Sequence, residues 1–291
     1  MAIAEKIKNF WSNRYARYGS IIALLVVSLL LFYRKPPVPT EIHTVTRGVY
    51  EASIEEDGIT RVKERFTVFS PAAGVMMRVE KHAGDAVKKG ELLTHVMLDY
   101  MRPVRSPATG TILKVHRESE GPIDMGMPIL DVGDTNQLEI VSEVLTRDAV
   151  AVKPGNDAVI SGWGGGTLKG KIRLVEPAAF TKVSTLGVEE QRVRVLVDFD
   201  KPKEMGEGFQ VRCRIITKRR EGSVTVPVGA LFRSGNDWAL YRVSKDRAQK
   251  AVVKIAETSG NTALVESGLA EGDRVVLFPG EKIRDGVKVK N

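Results

Sequence analysis

The chain contains an internal repeat, and this repeat constrains its fold more than any other feature. The motif SPAAGVM, which starts at Ser70, recurs as SPATGTI at Ser106, an offset of 36 residues. Three further positions match at the same offset: Val87 with Ile123, Gly90 with Gly126, and Leu93 with Ile129. Each copy reads as a strand, a turn at S-P-A-x-G, a second strand, a glycine turn and a closing strand. The repeat therefore predicts one β motif used twice, with the two copies related by pseudo-symmetry.

Short strands are also predicted in the rest of the chain. Apolar and polar residues alternate in LEIVSEV, DAVISGW, KIRLVEP, RVRVLVDF and QVRCRII, and residues 51–63 add an earlier strand. The segments VTVPV, WALYRV, AVVKIA, TALVES and RVVLF continue the pattern towards the C-terminus. The 27 glycines and 13 prolines suit a chain with many turns. The predicted fold class is mainly β.

The N-terminal region carries a membrane signal. Residues 19–33, GSIIALLVVSLLLFY, contain no charged side chain. A helix of this length spans about 22 Å, less than the roughly 30 Å of a hydrocarbon core, so a cleaved signal peptide competes with a membrane anchor. No A-x-A cleavage site follows the run, and aromatic residues lie at both of its ends. We therefore predict an uncleaved transmembrane helix over residues 19–35.

The distribution of charge gives the orientation of this helix. More Lys and Arg residues precede the run than directly follow it, which places residues 1–18 in the cytoplasm and the rest of the chain outside. The prolines of residues 36–44 predict a stiff spacer. The net charge of +8 comes from Lys and Arg scattered among Asp and Glu, as in KKGE and KRREG. No nucleic-acid partner is predicted from this pattern.

No catalytic, cofactor-binding or metal-binding residue is predicted. Cys213 is the only cysteine, so it has no disulfide partner within the chain and is expected to be buried. Residues 165–171, GGTLKGK, match a phosphate-binding pattern, but Ile172 stands where Ser or Thr is needed and a strand follows, so we predict a hairpin loop. The four histidines lack the spacing of metal ligands: His43, His82, His95 and His116. Because no catalytic grouping can be assembled from the spacing, the chain is not expected to be an enzyme.

Two half-motifs related by pseudo-symmetry resemble a lipoyl or biotinyl domain over residues 64–133. Such carrier domains hold their cofactor on a lysine in the turn that joins the halves. Here that junction reads THVMLDYMRPVR, with a short turn near residues 96–103 and no lysine. No cofactor is predicted, and a carrier role is the weaker alternative.

The segments around the repeat resemble the HlyD-like membrane fusion proteins, which are periplasmic adaptors of efflux and secretion systems. The residues that carry this resemblance are TRGVYEASIEEDGITRVKERFTVFSPAAG, VGDTNQLEIVSEV, VPVGALFR and SGLAEGDRVV. The resemblance implies a single-pass protein of the inner membrane with most of its chain in the periplasm. It also implies two kinds of partner: an inner-membrane transporter of ABC or RND type, and further copies of the chain assembled into a ring.

The resemblance divides the extracytoplasmic chain into three β domains. A membrane-proximal domain is expected from residues 45–50 plus 222–291, a β-barrel from 51–63 plus 134–221, and the lipoyl-like domain from 64–133. Typical members insert a long coiled-coil hairpin between the lipoyl halves, but no heptads occur in this chain. Docking to an outer-membrane channel is therefore doubtful, and the hairpin is absent by nature, replaced by another subunit, or missing from a shortened chain.

The methionines leave one alternative open. Six of the eight fall in the repeat region or its junction: Met76, Met77, Met97, Met101, Met125 and Met127. Thioethers suit Cu(I), so Met97 and Met101 are candidate ligands and a membrane-anchored metal-binding or envelope-binding protein is the alternative function. Alternatively, Met76, Met77, Met125 and Met127 pack the sandwich as adaptable fillers.

Overall fold

The structure is a computed structural model that describes residues 36–291. The described chain forms two compact units: unit 1 contains residues 36–50 and 220–291, and unit 2 contains Glu51–Arg219. The predicted cytoplasmic segment 1–18 and the predicted anchor 19–35 lie outside the described residues. Within residues 36–291, no helix is long and apolar enough to cross a membrane. The prediction of a mainly β chain with a lipoyl-like domain is confirmed.

Strands dominate the described residues. In chain order, the first eleven strands are β1 (Val38–Pro39), β2 (Ile42–Thr44), β3 (Thr46–Val62), β4 (Arg65–Phe69), β5 (Gly74–Met76), β6 (Ala86–Val87), β7 (Leu92–Met97), β8 (Met101–Arg105), β9 (Gly110–Val115), β10 (Gly121–Ile123) and β11 (Pro128–Gly133). The rest are β12 (Leu138–Leu145), β13 (Asp157–Ser161), β14 (Leu168–Val183), β15 (Glu189–Phe199), β16 (Gln210–Pro227), β17 (Phe232–Ser234), β18 (Asp237–Ser244), β19 (Arg247–Ser259), β20 (Thr262–Ser267), β21 (Arg274–Val276) and β22 (Val289–Lys290). A short helix, α1 (Thr146–Ala149), follows β12, and a 3-10 turn, Val228–Ala230, follows β16.

The repeat folds into a sandwich of two four-stranded sheets in unit 2. One sheet has the order β10-β5-β7-β8 and the other has the order β4-β11-β9-β6. The first copy contributes β4, β5, β6 and β7, and the second copy contributes β8, β9, β10 and β11. Exchanging β4 with β8, β5 with β9, β6 with β10 and β7 with β11 converts one strand order into the other. Each sheet takes two strands from each copy, so neither half completes a sheet alone. The sandwich is therefore the pseudo-symmetric product of the sequence repeat.

Backbone hydrogen bonds at the S-P-A-x-G turns lock the two halves together. The Ser70 N–H donates to Met127 O at 2.9 Å, and the Gly126 N–H donates to Ser70 O at 2.9 Å. In the other copy, the Ser106 N–H donates to the carbonyl of the residue after Gly90 at 2.9 Å, and the Gly90 N–H donates to Ser106 O at 2.8 Å. Gly90 and Gly126 adopt φ of 84° and 80°, a region that favours glycine. Each half thus closes a turn of the other half.

The sandwich is closed by a core drawn from both sheets. Its buried side chains are Val68, Met76, Val79, Val87, Leu93, Val96, Val104, Ile112, Ile123, Ile129, Leu130 and Val132. Val87, Leu93, Ile123 and Ile129 are two of the pairs related by the repeat. The repeat preserves apolar character at core positions because both copies face the same interior.

A closed barrel of six strands forms the rest of unit 2. Its order is β13-β14-β15-β12-β3-β16, and the pairing of β13 with β16 closes the ring. Ile160 of β13 lies opposite Cys213 of β16 at this closure, and both are fully buried. Ile140 of β12 lies between Thr60 of β3 and Val197 of β15. Alternate residues of each strand fill the barrel interior, as the period of two in the sequence requires.

Unit 1 contains an antiparallel sheet in which the end of β16 pairs with β20, followed by β19, β18, β21 and β2, with β17 beside β18. Its main core consists of Val45, Val226, Ala230, Leu240, Val253, Ala263, Val265 and Val275. A separate parallel pair joins β1 to β22, with Val38 opposite Val289. The C-terminal strand is therefore fixed beside the first described residues of the chain.

Candidate interaction surfaces

The turn between β7 and β8 is the position where carrier domains hold a cofactor. Met97 and Met101 are cross-strand partners, and Leu98, Asp99 and Tyr100 form the turn between them. The Leu98 N–H donates to Tyr100 O at 3.4 Å, and no lysine occurs in the turn. The junction therefore has no amine to which a cofactor could be attached.

Exposed apolar side chains gather around this turn and form a surface that we call the tip surface. Its members are Phe69, Val75, Met97, Leu98, Tyr100, Met101, Met125 and Met127. Val75 lies opposite Met97 in one sheet, the residue after Met127 lies opposite Phe69 in the other, and the turn between β4 and β5 joins Phe69 to the first sheet. Tyr100 is 61% exposed, and Arg102 lies 5.0 Å from the centre of its ring. Eight large apolar side chains at one end of a small domain are typical of a protein-binding surface.

The internal repeat supplies a comparison for this surface. Positions 36 residues away from the eight members occupy the equivalent places in the other copy. These counterparts are Arg105, Thr111, Gly133, Asp134, Asn136, Arg65, Lys89 and Glu91. None of them is a large apolar residue, although the strands of the sandwich recur in both copies. The fold itself therefore does not require apolar residues at the tip surface.

The methionines divide between the core and the tip surface. Met76 is fully buried, as a core filler should be, whereas Met125 is 73% and Met127 is 41% exposed. The prediction that Met125 and Met127 pack the sandwich is wrong, because they flank Gly126 in a turn that leaves their side chains outside the core. Met97 and Met101 are neighbours as the Cu(I) hypothesis requires. No group of three or more His, Cys, Asp or Glu suited to a metal occurs within residues 36–291.

A second surface is a groove of about 780 Å³ on the outside of the barrel. Arg192 of β15 crosses its wall: its Nε donates to Glu190 Oε2 at 2.9 Å, and its Nη1 donates to Glu56 Oε2 at 3.1 Å. The Arg192 guanidinium also donates to the Glu143 carbonyl, so it ties β15 to β3 and β12. These contacts stabilise the wall, and the charge of Arg192 is paired with Glu56 and Glu190.

The β14–β15 hairpin reaches past this groove and ends in apolar residues. Leu186 is 89% exposed at the turn, and Val183 and Val188 beside it are 61% and 58% exposed. The Ser184 N–H donates to Val188 O at 2.8 Å, which holds the turn in a defined shape. An ordered hairpin that presents Leu186 to solvent is a second candidate contact for a protein.

The other residues considered from sequence occupy structural positions. Residues 165–171 lie in the loop before β14 and in its first residues, and no helix follows. His116 Nε2 lies 3.1 Å from Asp131 Oδ2, a buried carboxylate that also accepts a 2.7 Å hydrogen bond from Thr67. Cys213 is buried in the barrel, and its burial, with a smaller contribution from Asp57, raises the pKa of the thiol to about 12.

Sequence reasoning found the Met97–Met101 pair but missed the rest of the tip surface. Phe69, Val75, Leu98 and Tyr100 were not singled out, since each is ordinary in a β-rich sequence. A signal was present in the repeat: at each of these positions one copy carries a large apolar residue and the other does not.

Comparison with known proteins extends these observations. The family described as YknX, C-terminal permuted SH3-like domain, matches residues 223–291, and the family described as biotin-requiring enzyme matches residues 67–132. YknX of Bacillus subtilis (strain 168), which is named as an efflux system component, is 26% identical over 196 residues. The chain is therefore similar in sequence to YknX and to the C-terminal domain of its family. The matched segment covers 65% of this chain but only 52% of YknX, so the YknX-like chain spans about half the length of this relative.

Solved structures share the fold of the YknX-like chain. MacA from Actinobacillus actinomycetemcomitans superposes with a TM-score of 0.66 at 14% identity, covering 82% of this chain and 99% of MacA. A MacA-MexA chimeric protein that contains the Pseudomonas aeruginosa MexA α-hairpin domain gives a TM-score of 0.61 at 16% identity, covering 82% of this chain and 100% of the chimera.

The match to biotin-requiring enzymes does not extend to their cofactor. The turn at Leu98–Asp99–Tyr100 offers a carboxylate, a phenol and an alkyl group, none of which forms the amide that a lysine amine would form. The residues present at this turn therefore do not fit a covalently attached biotin or lipoate.

Proposed function

We propose that the chain is a non-catalytic, membrane-anchored adaptor that couples an inner-membrane transporter to export across the cell envelope. The observation that carries this proposal is the interlocked lipoyl-like sandwich, whose turn lacks a lysine and whose tip surface is apolar. A carrier domain requires a reactive amine there, whereas an adaptor requires a contact surface. The adaptor reading accounts for both features of the same turn.

The sequence supports a location for the adaptor. Residues 19–35 anchor the chain in the inner membrane, residues 1–18 remain in the cytoplasm, and the β units lie in the periplasm. Residues 45–50 plus 222–291 then form the membrane-proximal domain, 51–63 plus 134–221 the barrel, and 64–133 the lipoyl-like domain. This assignment places the end of the anchor next to the first strand of unit 1 along the chain.

The adaptor has two protein partners in this proposal. The membrane-proximal domain contacts the transporter, because it follows the anchor within a few residues. Further copies of the chain assemble side by side, and the apolar hairpin end at Leu186 is the contact on each barrel. The tip surface remains for another protein of the same assembly, in the place where longer family members carry their α-hairpin.

Affinity purification from native membranes tests the proposal. The full chain, tagged at its C-terminus and expressed at its natural level, is solubilised in mild detergent, and its partners are quantified by mass spectrometry. An adaptor enriches one inner-membrane transporter at a fixed ratio to itself. Enrichment of no transporter, together with a bound metal or envelope polymer, would favour the binding-protein alternative instead.

A further inference from the structure

A basic groove of about 1000 Å³ lies in unit 1 beside the first described residues. Pro36 and Val38 form one side of it, and residues 281–288 together with Arg247 form the other. The pairing of β1 with β22 fixes this arrangement, and the Val38 N–H donates to Lys288 O at 2.9 Å. The groove is therefore built from the N-terminal and C-terminal ends of the described chain.

A buried residue, Ile283, orients two of the cations of this groove towards solvent. Ile283 is 6% exposed and packs with Val289 and other core residues, so that Lys282 and Arg284 on either side of it are exposed. Lys288 is also exposed, and it lies opposite Arg247 in an isolated bridge. Because Ile283 anchors the loop, these positive charges are presented from a fixed backbone.

Most of these positive charges are not neutralised within the protein. Lys282, Arg284 and Lys288 form no ion pair with any carboxylate among residues 36–291, in a structure where many exposed cations do. Two carboxylates line the groove as well, Glu281 and Asp285. One Asp285 oxygen accepts a 2.8 Å hydrogen bond from the Lys250 N–H, which leaves Glu281 as the acid without a fixed partner there. Four cations against two acids give the groove a net positive charge.

The position of the groove along the chain suggests what occupies it. Residue 36 follows the uncharged run 19–33 after only two residues, and three residue steps span about 10 Å at most. Phosphate groups at a bilayer surface act over a Debye length of about 8 Å at physiological ionic strength. If the run is the anchor of the proposed function, the groove lies within reach of the lipid headgroups.

We propose that this groove binds the phosphodiester headgroups of anionic phospholipids in the membrane that anchors the chain. Lys282, Arg284 and Lys288 contact the headgroup oxygens, and Phe278, which starts the same loop and is 72% exposed, packs against the interface. The contact fixes the orientation of unit 1 on the bilayer. This inference rests on the proposed membrane anchor but on no transporter.

Photo-cross-linking to lipid tests the groove. The full chain carries p-benzoylphenylalanine in place of Glu281 and is reconstituted into vesicles of phosphatidylcholine containing phosphatidylglycerol. Lipid adducts are identified by mass spectrometry. We expect phosphatidylglycerol to be enriched about five-fold over its mole fraction, since each basic residue near an anionic surface contributes a factor of that order. K282E/R284E should reduce the adducts to the mole fraction.

Matched variants separate charge from folding. K88E/K89E makes the same charge change at exposed residues of unit 2 and should leave the enrichment intact. K282R/R284K keeps the charge and should keep the enrichment. Two outcomes would contradict lipid binding in the groove. One is a phosphatidylglycerol share of the adducts equal to its mole fraction in the parent chain, and the other is enrichment that persists in K282E/R284E.

Two further experiments test whether the bound phosphate belongs to a lipid and whether the chain is anchored in the membrane. Added inorganic phosphate should leave the enrichment unchanged, because the lipid is concentrated at the membrane; loss of enrichment would show a site for free phosphate instead. Flotation with pure phosphatidylcholine vesicles in high salt reports insertion of the anchor alone. A chain that fails to float contradicts the proposed anchoring, whereas one that floats without enrichment contradicts only the groove.

Discussion

Gly74 lies against the backbone of Met97, so that a Cβ on Gly74 would lie 2.0 Å from Met97 O. The repeat reproduces this relationship in the other sheet, where a Cβ on Gly110 would lie 2.6 Å from Gly133 O. In both places the first residue of the strand after the S-P-A-x-G turn lies against the last residue of a paired strand, with no room for a side chain. The glycine of this motif is therefore required by packing within each half.

Replacement of Gly74 by alanine should destabilise unit 2 by about 1–3 kcal/mol, because the methyl group has to displace backbone atoms. Equilibrium unfolding in urea, followed by circular dichroism, measures the change. Gly166→Ala serves as the control, since no atom lies within 4 Å of a Cβ at that position. Equal stability of the two variants would mean that the close approach at Met97 is absent.

The Cys213 thiol should be unreactive in the folded protein. Its pKa is raised by burial, and to a lesser extent by Asp57, from the ordinary 9.0 to about 12, so the reactive thiolate does not form at neutral pH. Iodoacetamide should alkylate Cys213 only in denaturant. Alkylation of the native protein at the rate of a free thiol would contradict its burial at the closure of the barrel.

The same raised pKa predicts a dependence of stability on pH. Between pH 9.0 and about 12, the unfolded chain loses the thiol proton while the folded chain keeps it. The unfolded state then binds fewer protons, so the free energy of unfolding falls as pH rises, by at most about 1.4 kcal/mol per pH unit. Cys213→Ala removes this contribution, so the difference in slope between the variant and the parent chain isolates it from other alkaline titrations.

Leu186 should contribute to association between copies of the chain. Leu186→Asp places a charge at the apolar end of the β14–β15 hairpin and should weaken self-association by about ten-fold, as expected for loss of a central apolar contact. Sedimentation velocity of the full chain in detergent measures the dissociation constant. Val150→Asp is the matched control, because Val150 is 83% exposed on the same barrel. An unchanged dissociation constant for Leu186→Asp would place the contact between copies elsewhere.

Tyr100 should contact another protein of the assembly. A photoreactive residue in place of Tyr100 is expected to capture a protein other than the transporter in intact cells. Asn136 is its counterpart in the repeat and is exposed, so the same probe there should capture little. Equal capture from the two positions would show that the apolar tip surface has no specific partner.

The sandwich was predictable from sequence because both copies of the repeat preserve their turns and core positions. The motifs at Ser70 and Ser106 specify where the chain reverses direction in each copy. Core residues such as Leu93 and Ile129 recur at the offset of the repeat. Met125 and Met127 were misassigned because alternation along a strand stops at Gly126, whose positive φ changes the direction of the chain. A period of two therefore gives no information about side chains within the turn.

The basic groove was not predictable from sequence for a different reason. Val38 and Val289 are separated by most of the chain, and no local pattern indicates that β1 pairs with β22. Without that pairing, Lys282 and Arg284 read as scattered surface charges in a mildly basic protein. Long-range strand pairing is what concentrates them beside Pro36.

Photo-cross-linking from unit 1 tests the central claim most directly. Val252 is 56% exposed on β19, and a photoreactive residue placed there in the full chain samples the surroundings of unit 1, the proposed membrane-proximal domain, in intact membranes. The adaptor account predicts that mass spectrometry of the captured proteins identifies one inner-membrane transporter reproducibly. Capture of lipids and copies of the chain, with no transporter in repeated experiments, would contradict it.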